Sequence, residues 1–426
     1  MADIASFRAI RYNPHRAGEL ALVVSPPYDV LSEADQEKLY QRSPHNVVRI
    51  ILNRPEDGDG PLSRYQRAAA TMQEWLKAGV LMEDPEPALY VYRQQFANPA
   101  TTEERIRMGL VCALRLTPFD EGTVLPHEYT KPAAKADRLE LLRATRTNTE
   151  AILALYEDPD GRVTSLIEEA LERATLLMNP EADGMTHEVH RIAETTLVKA
   201  LAEALAPKRL WIADGHHRYE TALQYRDELR RQGGSAGEAE RILVTLVAFE
   251  DEGLVVLPTH RVLQGLTADG LGRLLTDLRK SFDATKLGGT QEALALAAET
   301  ECREGTLVLL TREGAWRLHL RNKEAMAALA PERGPAWRSL DVSILQTLVL
   351  EPLAESGVTF SAAYTQSAKE AAEMVSDGAA ACAFLMGSIS ADTVRAVTSE
   401  GDRMPPKSTY FYPKLWSGLF MRRAGP

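Results

Sequence analysis

The chain has 426 residues, which predicts roughly two or three domains. Apolar residues make up 45% and charged residues 26%, the balance of a soluble globular protein that can bury a large core without disulfides or a structural metal. Lys and Arg number 49 against 60 Asp and Glu, and the net charge of −11 argues against a dedicated nucleic-acid binder, which needs a basic surface.

Cysteine usage and the start of the chain predict the compartment. Cys112, Cys302 and Cys382 are far apart and form no CxxC pair, so we expect neither a disulfide framework nor a zinc site. The first residues lack the apolar segment of a signal peptide, and no run approaches the length of about 18 apolar residues that a membrane span needs. We therefore expect a cytoplasmic protein that has no membrane partner.

The first part of the chain predicts a mixed α/β pattern. Apolar, β-branched runs predict strands, Ser is a favoured N-cap residue, and Pro at the start and Gly at the end delimit a helix. The expected elements, in chain order, are a strand at 19–24 ended by Pro26-Pro27, a helix from Ser32 to about Gln41, a strand at 46–53 and a helix from Pro61 to Gly79.

The alternation continues through the centre of the chain. The runs at 88–96 and 108–116 predict a hairpin, and residues 164–205 are expected to be mostly helical. The clearest unit is 208–232, where the apolar strand KRLWIAD, the turn GHHR and an amphipathic helix follow one another. Another strand follows at 242–251, and we expect a domain boundary near residue 258.

The turn Asp214-Gly215-His216-His217-Arg218 is the first candidate site. Gly215 can adopt a positive φ, and the helix that follows presents amides with partial positive charge, which favour phosphate. Arg218 can contact phosphate through two N–H groups, and the histidines can donate hydrogen bonds or stay neutral near pH 7. The alternative is a plain turn with Asp214 as helix cap; adjacent histidines point apart, so zinc is not expected.

Two loops carry carboxylates that could act as a base. His127 and Glu128 lie between a strand and a helix, and loop ends beside rigid strands often carry catalytic groups. Glu128 could serve as a general base or bind Mg²⁺ together with phosphate, unless the loop is simply exposed. Asp29, after Pro26-Pro27-Tyr28, could be a base, a metal ligand or only a turn residue.

Two further segments carry basic residues. His260 and Arg261 follow a strand end, where they form either a ligand site or a solvated charge pair. The segment 407–414 contains two lysines and two hydroxyls, among them Lys407 and Ser408, which could close over phosphate oxygens. Its three aromatic residues could stack on a base or form a core strand.

Several known motifs do not occur in the sequence. We find no GxxxxGK[ST], no GxGxxG after a strand and no GxSxG, so a Walker-type loop, a dinucleotide site and a nucleophile elbow are not expected. The tetrapeptide HEVH at 187–190 is one residue short of the zincin motif, and we expect it on a solvated helix surface.

Six ordered blocks of sequence point to a family. The blocks are FRAIRYNP, VVSPPYDVLS, SPHNVVRI, VLPHEYT, IADGHHRYETAL and MPPKSTYFYPKLWSGL, from Phe7 to Leu419. Together they resemble the bacterial domain-of-unknown-function family numbered 1015. That family name conveys no reaction.

The DGHHR turn is also similar to the phosphate-binding turn of the ParB/sulfiredoxin-like superfamily. That superfamily includes sulfiredoxins, ParB-type nucleotide-binding proteins and free L-serine kinases, which use ADP or ATP to form O-phosphoserine. The resemblance implies that residues 215–218 hold nucleotide phosphates. It also implies a catalytic carboxylate in the N-terminal part of the core, for which the candidates are Asp29, Glu33 and Glu128. His216 stands where sulfiredoxins have their catalytic cysteine.

These observations define one set of expectations. The expected fold is mixed α/β (α+β), with a ParB/sulfiredoxin-like nucleotide-binding core at 1–258, an insertion at about 56–205, and a C-terminal α+β domain at 259–426 that closes the site. The expected function is a small-molecule kinase that uses ATP or ADP with Mg²⁺, and free L-serine is its implied acceptor. The alternative is a ParB-type regulatory module that binds a nucleotide without transferring phosphate.

The expected site residues fall into three groups. Catalytic roles are expected for Glu128, Asp29, His127 and His217. Nucleotide-binding roles are expected for Asp214, Gly215, His216, His217, Arg218, His260, Arg261, Lys407 and Ser408. Glu128 is the expected metal ligand.

Overall fold

The computed structural model describes residues 1–298 and 305–425 and divides into two compact units. Unit 1 comprises Met1–Pro126, Thr130–Val255 and Pro413–Pro426, and unit 2 comprises His127–Tyr129 and Val256–Tyr412. Both units are discontinuous in sequence. Cys302 lies outside the described residues.

Unit 1 is built on a large mixed sheet. The strands of unit 1 up to residue 248 are Ile4–Ala5 (β1), Ile10–Tyr12 (β2), Leu81–Glu83 (β3), Leu89–Ala97 (β4), Glu104–Arg115 (β5), Val124–Pro126 (β6), Thr147–Asn148 (β7), Ile152–Tyr156 (β8), Thr175–Met178 (β9), Glu181–Ala182 (β10), Met185–Ile192 (β11), Leu210–Asp214 (β12) and Arg241–Ala248 (β13). Strands β2 and β3 pair with each other, and β7 pairs with a strand near the end of the chain, apart from the large sheet. The main strand order is β10-β11-β4-β5-β13-β8-β12-β6, and the mixed α/β class is thereby confirmed.

Eight α-helices alternate with these strands along the described chain up to residue 248. They are Leu20–Val23 (α1), Glu33–Arg42 (α2), Val48–Ile51 (α3), Ser63–Lys77 (α4), Pro132–Thr145 (α5), Arg162–Arg173 (α6), Thr195–Leu205 (α7) and His216–Arg231 (α8). Among residues 1–298 and 305–425, no helix combines the length and the apolar composition that crossing a membrane would require.

The pairing of the central strands positions the turn after β12. Strand β12 runs antiparallel to β8, and Asp214 is opposite Leu153 near the start of β8. Strand β8 is in turn parallel to β13. The last residue of β12 therefore lies beside the segment that leads into β8. The predicted hairpin of β4 and β5 is confirmed, as is the strand, turn and helix unit at 208–232.

Two predicted strands are wrong. The run at 19–24 contains helix α1, and the run at 46–53 contains helix α3. Their residues Val23, Val47 and Ile50 are fully buried in one cluster. A short run that is apolar throughout has no visible period, so the sequence could not distinguish a buried helical turn from a buried strand.

The prediction that residues 164–205 are mostly helical is also wrong, because strands β9, β10 and β11 separate α6 from α7. The HEVH segment lies on β11 and not on a helix. Alternation along the strand buries His187, while Glu188 and His190 are partly exposed on the other face. The two histidines therefore point to opposite faces and cannot bind one metal ion as a zincin pair does.

Unit 2 contains an antiparallel sheet of its own, in the order β16-β18-β17-β20-β15-β19. Its strands are Val255–Leu257 (β14, which begins at the last residue of unit 1), His260–Gln264 (β15), Phe282–Lys286 (β16), Thr306–Thr311 (β17), Gly314–Leu320 (β18), Ser361–Thr365 (β19), Cys382–Leu385 (β20) and Tyr410–Tyr412 (β21). The chain then returns to unit 1, where Arg422–Arg423 (β22) pairs with β7.

The helices of unit 2 are Ala268–Ser281 (α9), Thr290–Ala298 (α10), Glu324–Leu329 (α11), Pro335–Arg338 (α12), Asp341–Leu345 (α13), Glu351–Glu355 (α14), Ala368–Ser376 (α15) and Ala391–Ser399 (α16). Helices α10 and α15 contribute Ala293 and Val375 to a core that also contains Val308 and Leu385 from the sheet. This apolar packing gives unit 2 its own hydrophobic core.

A row of buried polar side chains crosses the sheet of unit 1. Arg107 on β5 is directly opposite Gln94 on β4, which is directly opposite His187 on β11. All three are at most 1% exposed. Arg107 donates to Gln94 Oε1, and the Tyr92 hydroxyl pairs with His187 Nδ1 at 2.7 Å. Burial, reinforced by the Arg107 guanidinium, lowers the pKa of His187 to about 3.

We expect His187 to make the stability of unit 1 depend on pH. Native His187 stays neutral down to about pH 3, whereas the unfolded imidazole binds a proton below about 6.5. Stability should therefore rise with pH across this window. Between about pH 5 and about pH 7.5 the difference should be on the order of 2 kcal/mol, measurable as a shift in urea midpoint.

His187→Gln is the control for this prediction, because glutamine keeps a polar group there and does not titrate. The variant should show a smaller difference in midpoint between the two pH values, even if it is less stable at both. An equal pH dependence in the two proteins would show that His187 does not carry the effect.

Candidate active site

Gly215 alone joins β12 to α8. Its φ of +93° and ψ of 27° lie in the left-handed region, which glycine adopts without strain. A Cβ at this position would lie 2.7 Å from Ile152 Cγ2 and 3.1 Å from Arg218 Nε. Both the backbone conformation and the close approach of neighbours therefore require glycine.

The N-terminus of α8 opens directly onto this turn. Tyr219 N–H donates to Gly215 O at 3.0 Å, and the N-cap residue Gly215 has no side chain with which to cap the helix. The helix has 16 residues, so its aligned peptide dipoles add partial positive charge at the turn. Such an end attracts an anion.

Asp214 holds two cations at the turn. Its Oδ2 accepts from Arg218 Nη2 at 2.6 Å, and its Oδ1 accepts from Lys414 Nζ. Burial alone would raise the pKa of Asp214, but the Lys414 ammonium and the Arg218 guanidinium outweigh it and hold that pKa well below its usual range. Asp214 is thus ionised at neutral pH, and the three side chains together carry one net positive charge.

Arg218 is held in place from several sides. Its Nη1 donates to Ala151 O at 2.6 Å. Burial would lower the pKa of Arg218, but the carboxylates of Glu150, Asp214 and Asp29 raise it further above its ordinary value. The guanidinium therefore keeps its charge inside the protein.

Glu150 supports Arg218 from the segment before β8. It is 6% exposed, and its Oε1 accepts from Ser417 Oγ at 2.8 Å and from Tyr28 N–H at 3.3 Å. The Arg138 guanidinium lies 3.8 Å from the centre of the Tyr28 ring, and its Nη1 is 3.8 Å from Glu150 Oε2. Sequence reasoning missed Glu150 and Arg138, and it considered Lys414 only as one of the two lysines of the segment 407–414, without including it among the expected site residues. A signal existed for Lys414, which belongs to the last of the six blocks.

The two adjacent histidines have different environments. His217 Nε2 accepts from Lys131 N–H at 2.9 Å, so the ring proton is on Nδ1 and the imidazole is neutral. His216 is buried, and it is one of the groups that lower the pKa of Asp214. A neutral His217 can still donate a hydrogen bond through Nδ1.

Asp29 lies in unit 1 together with the turn. It is part of the single turn of 3₁₀ helix at Tyr28–Val30 and is exposed. Its carboxylate is one of the charges that raise the pKa of Arg218. Of the predicted catalytic carboxylates, Asp29 therefore belongs to the electrostatic environment of the turn.

His127 and Glu128 belong to unit 2, where they contact the segment 404–409. Met404 N–H donates to His127 O at 2.7 Å, and Ser408 N–H donates to Glu128 Oε1 at 3.2 Å. His127 Nε2 lies 2.9 Å from Thr409 Oγ1. The structure thus brings His127, Glu128 and Ser408 together within unit 2.

His260 and Arg261 are buried at the start of β15. The Arg261 guanidinium donates to Thr259 O, and also to Lys407 O at 3.2 Å, which helps to hold the left-handed backbone of Lys407 at φ +60°. His260 Nδ1 accepts from Met386 N–H at 3.0 Å. Burial lowers the pKa of Arg261 to about 10, and burial together with Arg261 lowers that of His260 to about 4.

Two cavities in unit 1 differ in size and lining. One of about 40 Å³ lies between α5 and α8 and is bordered by Arg218, which makes it large enough for a few water molecules and too small for a nucleotide. Another of about 500 Å³ is bordered by Arg226 and Arg230, which already pair with Asp227 and Glu240.

Over residues 1–298 and 305–425, no three His, Cys, Asp or Glu side chains are grouped so that they could hold a metal ion. Cys112 and Cys382 are buried and unpaired with each other, and burial raises the pKa of both thiols.

The fold and the site define a mixed α/β protein in which a single glycine joins a strand to a helix beside a largely buried Asp, Arg and Lys cluster. The chain belongs to the family described as protein of unknown function (DUF1015), whose family model matches residues 4–343. The family identified from the six sequence blocks is thereby confirmed. No curated protein matches the chain.

Solved structures with similarity to this chain include a free serine kinase in complex with AMP, at 11% identity and a TM-score of 0.40, over 74% of this chain and 91% of that one. A conserved hypothetical protein from Pyrococcus furiosus has 13% identity and a TM-score of 0.37, over 72% and 92% of the two chains. SbnI from Staphylococcus aureus, with a C-terminal truncation, has 11% identity and a TM-score of 0.35, over 73% and 87%.

Gly215→Ala should destabilise unit 1 more than Gly18→Ala. Both glycines have a positive φ, so each substitution should cost roughly 1 to 2 kcal/mol for the left-handed backbone. Only the new Cβ at residue 215 would also meet Ile152, which should add about 1 kcal/mol or more; nothing lies within 4 Å at residue 18. Equal urea midpoints for the two variants would show that packing does not constrain the turn.

Proposed function

We propose that the protein is a small-molecule kinase that transfers a phosphoryl group from ATP or ADP to the hydroxyl of free L-serine, forming O-phosphoserine. The observation that carries the proposal is the turn between β12 and α8, where a helix N-terminus, Arg218 and Lys414 concentrate positive charge. The acceptor comes from the similarity of the DGHHR turn to that of free L-serine kinases.

The turn supplies what phosphoryl transfer requires. That reaction depends on positioning and on charge neutralisation more than on covalent chemistry by the protein. Arg218 and Lys414 both pair with the carboxylate of Asp214, and we propose that phosphate oxygens pair with the same two cations. We propose that amides at the start of α8, where His217 is the second residue, donate to the same oxygens.

A carboxylate must orient the acceptor and take its proton. As the serine Oγ forms its bond to the terminal phosphorus, the bond from that phosphorus to the bridging oxygen breaks, and ADP leaves from ATP or AMP leaves from ADP. The hydroxyl proton passes to the carboxylate. We assign this role to Asp29, which is exposed in unit 1 and acts electrostatically on Arg218. Glu128, in unit 2, remains the second candidate.

Mg²⁺ fits this type of site. In nucleotide sites this ion is usually held by one or two carboxylates together with phosphate oxygens and water, so a cage of three protein ligands is not needed. Asp29 or Glu128 would supply the carboxylate, and the ion would neutralise phosphate charge.

Incubation of the protein with L-serine, Mg²⁺ and either labelled ATP or labelled ADP should yield labelled O-phosphoserine. A mixture of the other amino acids serves as the control for the acceptor. Nucleotide binding without a labelled small molecule would contradict the kinase assignment and favour a ParB-type regulatory module.

Asp29→Asn should reduce the rate of transfer by about a hundredfold or more while nucleotide affinity changes by about twofold at most, because the amide cannot accept the proton. Glu128→Gln is the matched comparison and should retain more activity. The opposite order of the two variants would assign the base to Glu128.

Arg218→Ala should weaken nucleotide binding by at least about tenfold in titration calorimetry while the far-ultraviolet dichroism of the protein is retained. Arg173→Ala is the control, because Arg173 is a surface residue on α6 that pairs with Glu194. Unchanged affinity in Arg218→Ala would contradict the phosphate assignment of the turn.

A further inference from the structure

Lys414 reaches the turn from the other end of the chain. We name Pro413–Ser417, a segment of unit 1, the C-terminal strap. The Lys414 ammonium binds Asp214 Oδ1 in the turn, although the two residues are 200 positions apart in sequence. The strap must therefore be held firmly against unit 1 for this contact to persist.

The strap is fixed by the buried polar row of Arg107, Gln94 and His187. Arg107 donates to Pro413 O at 2.5 Å, and Gln94 Nε2 donates to Lys414 O at 3.0 Å. These bonds hold the main chain on both sides of the Lys414 Cα atom. The direction in which the lysine side chain leaves the strap is consequently set by the sheet beneath it.

The other end of the strap is fixed as well. The Trp416 ring lies 4.6 Å from the ring of His187, centre to centre. Ser417 N–H donates to Ser25 O at 2.8 Å, and Ser25 N–H donates to Ser417 O at 3.2 Å. Ser417 Oγ donates to Glu150, the carboxylate that supports Arg218. One short segment thus contacts both Asp214 and the environment of Arg218.

We infer that Lys414 is a further phosphate-binding residue of the turn, that its ligand is the polyphosphate of a nucleoside di- or triphosphate, and that the row of Arg107, Gln94 and His187 positions it. The inference rests on the proposed nucleotide binding at the turn. Lys414 touches the ligand in this account, whereas Arg107 and Gln94 are positioning residues that act through it.

The energetics argue against a row that serves stability alone. Burying three polar side chains is costly unless every polar atom is satisfied. Arg107 Nη1 and His187 Nε2 have no hydrogen-bond partner within the described ranges. Apolar residues of similar size would serve the core better. Besides the bond from Arg107 to Gln94, each of the two side chains donates to a strap carbonyl, which fits a role in fixing the backbone.

Lys414 approaches Asp214 from a different side than Arg218 does, so the two cations would contact a phosphate from different directions. Arg218 uses one N–H of Nη2 on Asp214 and one N–H of Nη1 on the carbonyl of Ala151, so only part of its guanidinium remains for a phosphate. The Lys414 ammonium approaches the other oxygen of Asp214 from the strap. A phosphate at the start of α8 would then meet positive charge from two directions.

The first test compares Lys414→Met with Lys414→Arg and with Lys199→Met. Lys199 is the control because it is an exposed lysine on α7 that pairs with Glu203. Dissociation constants for ATP, ADP and inorganic pyrophosphate are measured by titration calorimetry. Lys414→Met should weaken binding by at least about tenfold, Lys414→Arg by less, and Lys199→Met by about twofold at most.

The outcomes separate this inference from the proposed function. If the wild type and Lys414→Met bind all three ligands equally, Lys414 is only a structural ion-pair partner, even if the variant has a lower urea midpoint. If the wild type binds nucleotide and Lys414→Met does not, but no O-phosphoserine forms, the inference holds and the kinase assignment fails. If the wild type binds none of the ligands, both are overturned.

The second test addresses the positioning row and also applies if Lys414→Met folds poorly. Gln94→Glu keeps an acceptor for Arg107 but loses the donor to Lys414 O. It should weaken nucleotide binding by about fivefold in the wild-type background and by about twofold at most in the Lys414→Arg or Lys414→Met background. Equal effects in every background would show that Gln94 does not act through Lys414, a result that a purely structural role predicts.

Discussion

The carboxylate of Asp214 organises the candidate site because it binds two cations that the sequence keeps far apart. Arg218 follows four residues later on α8, whereas Lys414 arrives with the last part of the chain. Without this carboxylate, two positive charges would face each other in a largely buried place, which costs several kcal/mol unless they are compensated. With it, the pair is stable and still carries an excess positive charge. The arrangement is thus suited to an anion that arrives from outside.

The backbone around Asp214 makes this arrangement possible. Gly215 turns the chain within a single residue, and the absence of a Cβ lets Ile152 and Arg218 pack closely against it. Mixed pairing in the sheet places the end of β12 beside the start of β8, so Ala151 O can accept from Arg218. The glycine turn and the strand order of the sheet therefore both position the Arg218 guanidinium beside Asp214.

The sequence predicts local features of this site better than distant ones. The strand, glycine and helix at 208–232 could be predicted because all of their signals lie within one short window. Glu150 and Arg138 could not, because their importance arises from contacts across the fold. The strands predicted at 19–24 and 46–53 were wrong for a related reason: short, mainly apolar runs do not show the period that would separate a strand from a helical turn. His187 likewise acquires its role only from its neighbours on β4 and β5.

The segment 407–414 shows why the spacing of a motif alone could not assign roles to Lys407 and Lys414. The chain leaves unit 2 after Tyr412 and enters unit 1 at Pro413, so one short stretch of sequence contributes to both units. Lys407 is exposed in unit 2, and its carbonyl accepts from Arg261. Lys414 binds Asp214 in unit 1. Eight residues thus contain two lysines with separate structural roles, and only the lysine fixed by Gln94 has a direction set by the sheet. A fixed ammonium loses less conformational entropy when a ligand binds than a mobile one does. This smaller loss of entropy on ligand binding is a physical reason to bury the row of Arg107, Gln94 and His187, although the row itself stabilises the fold poorly.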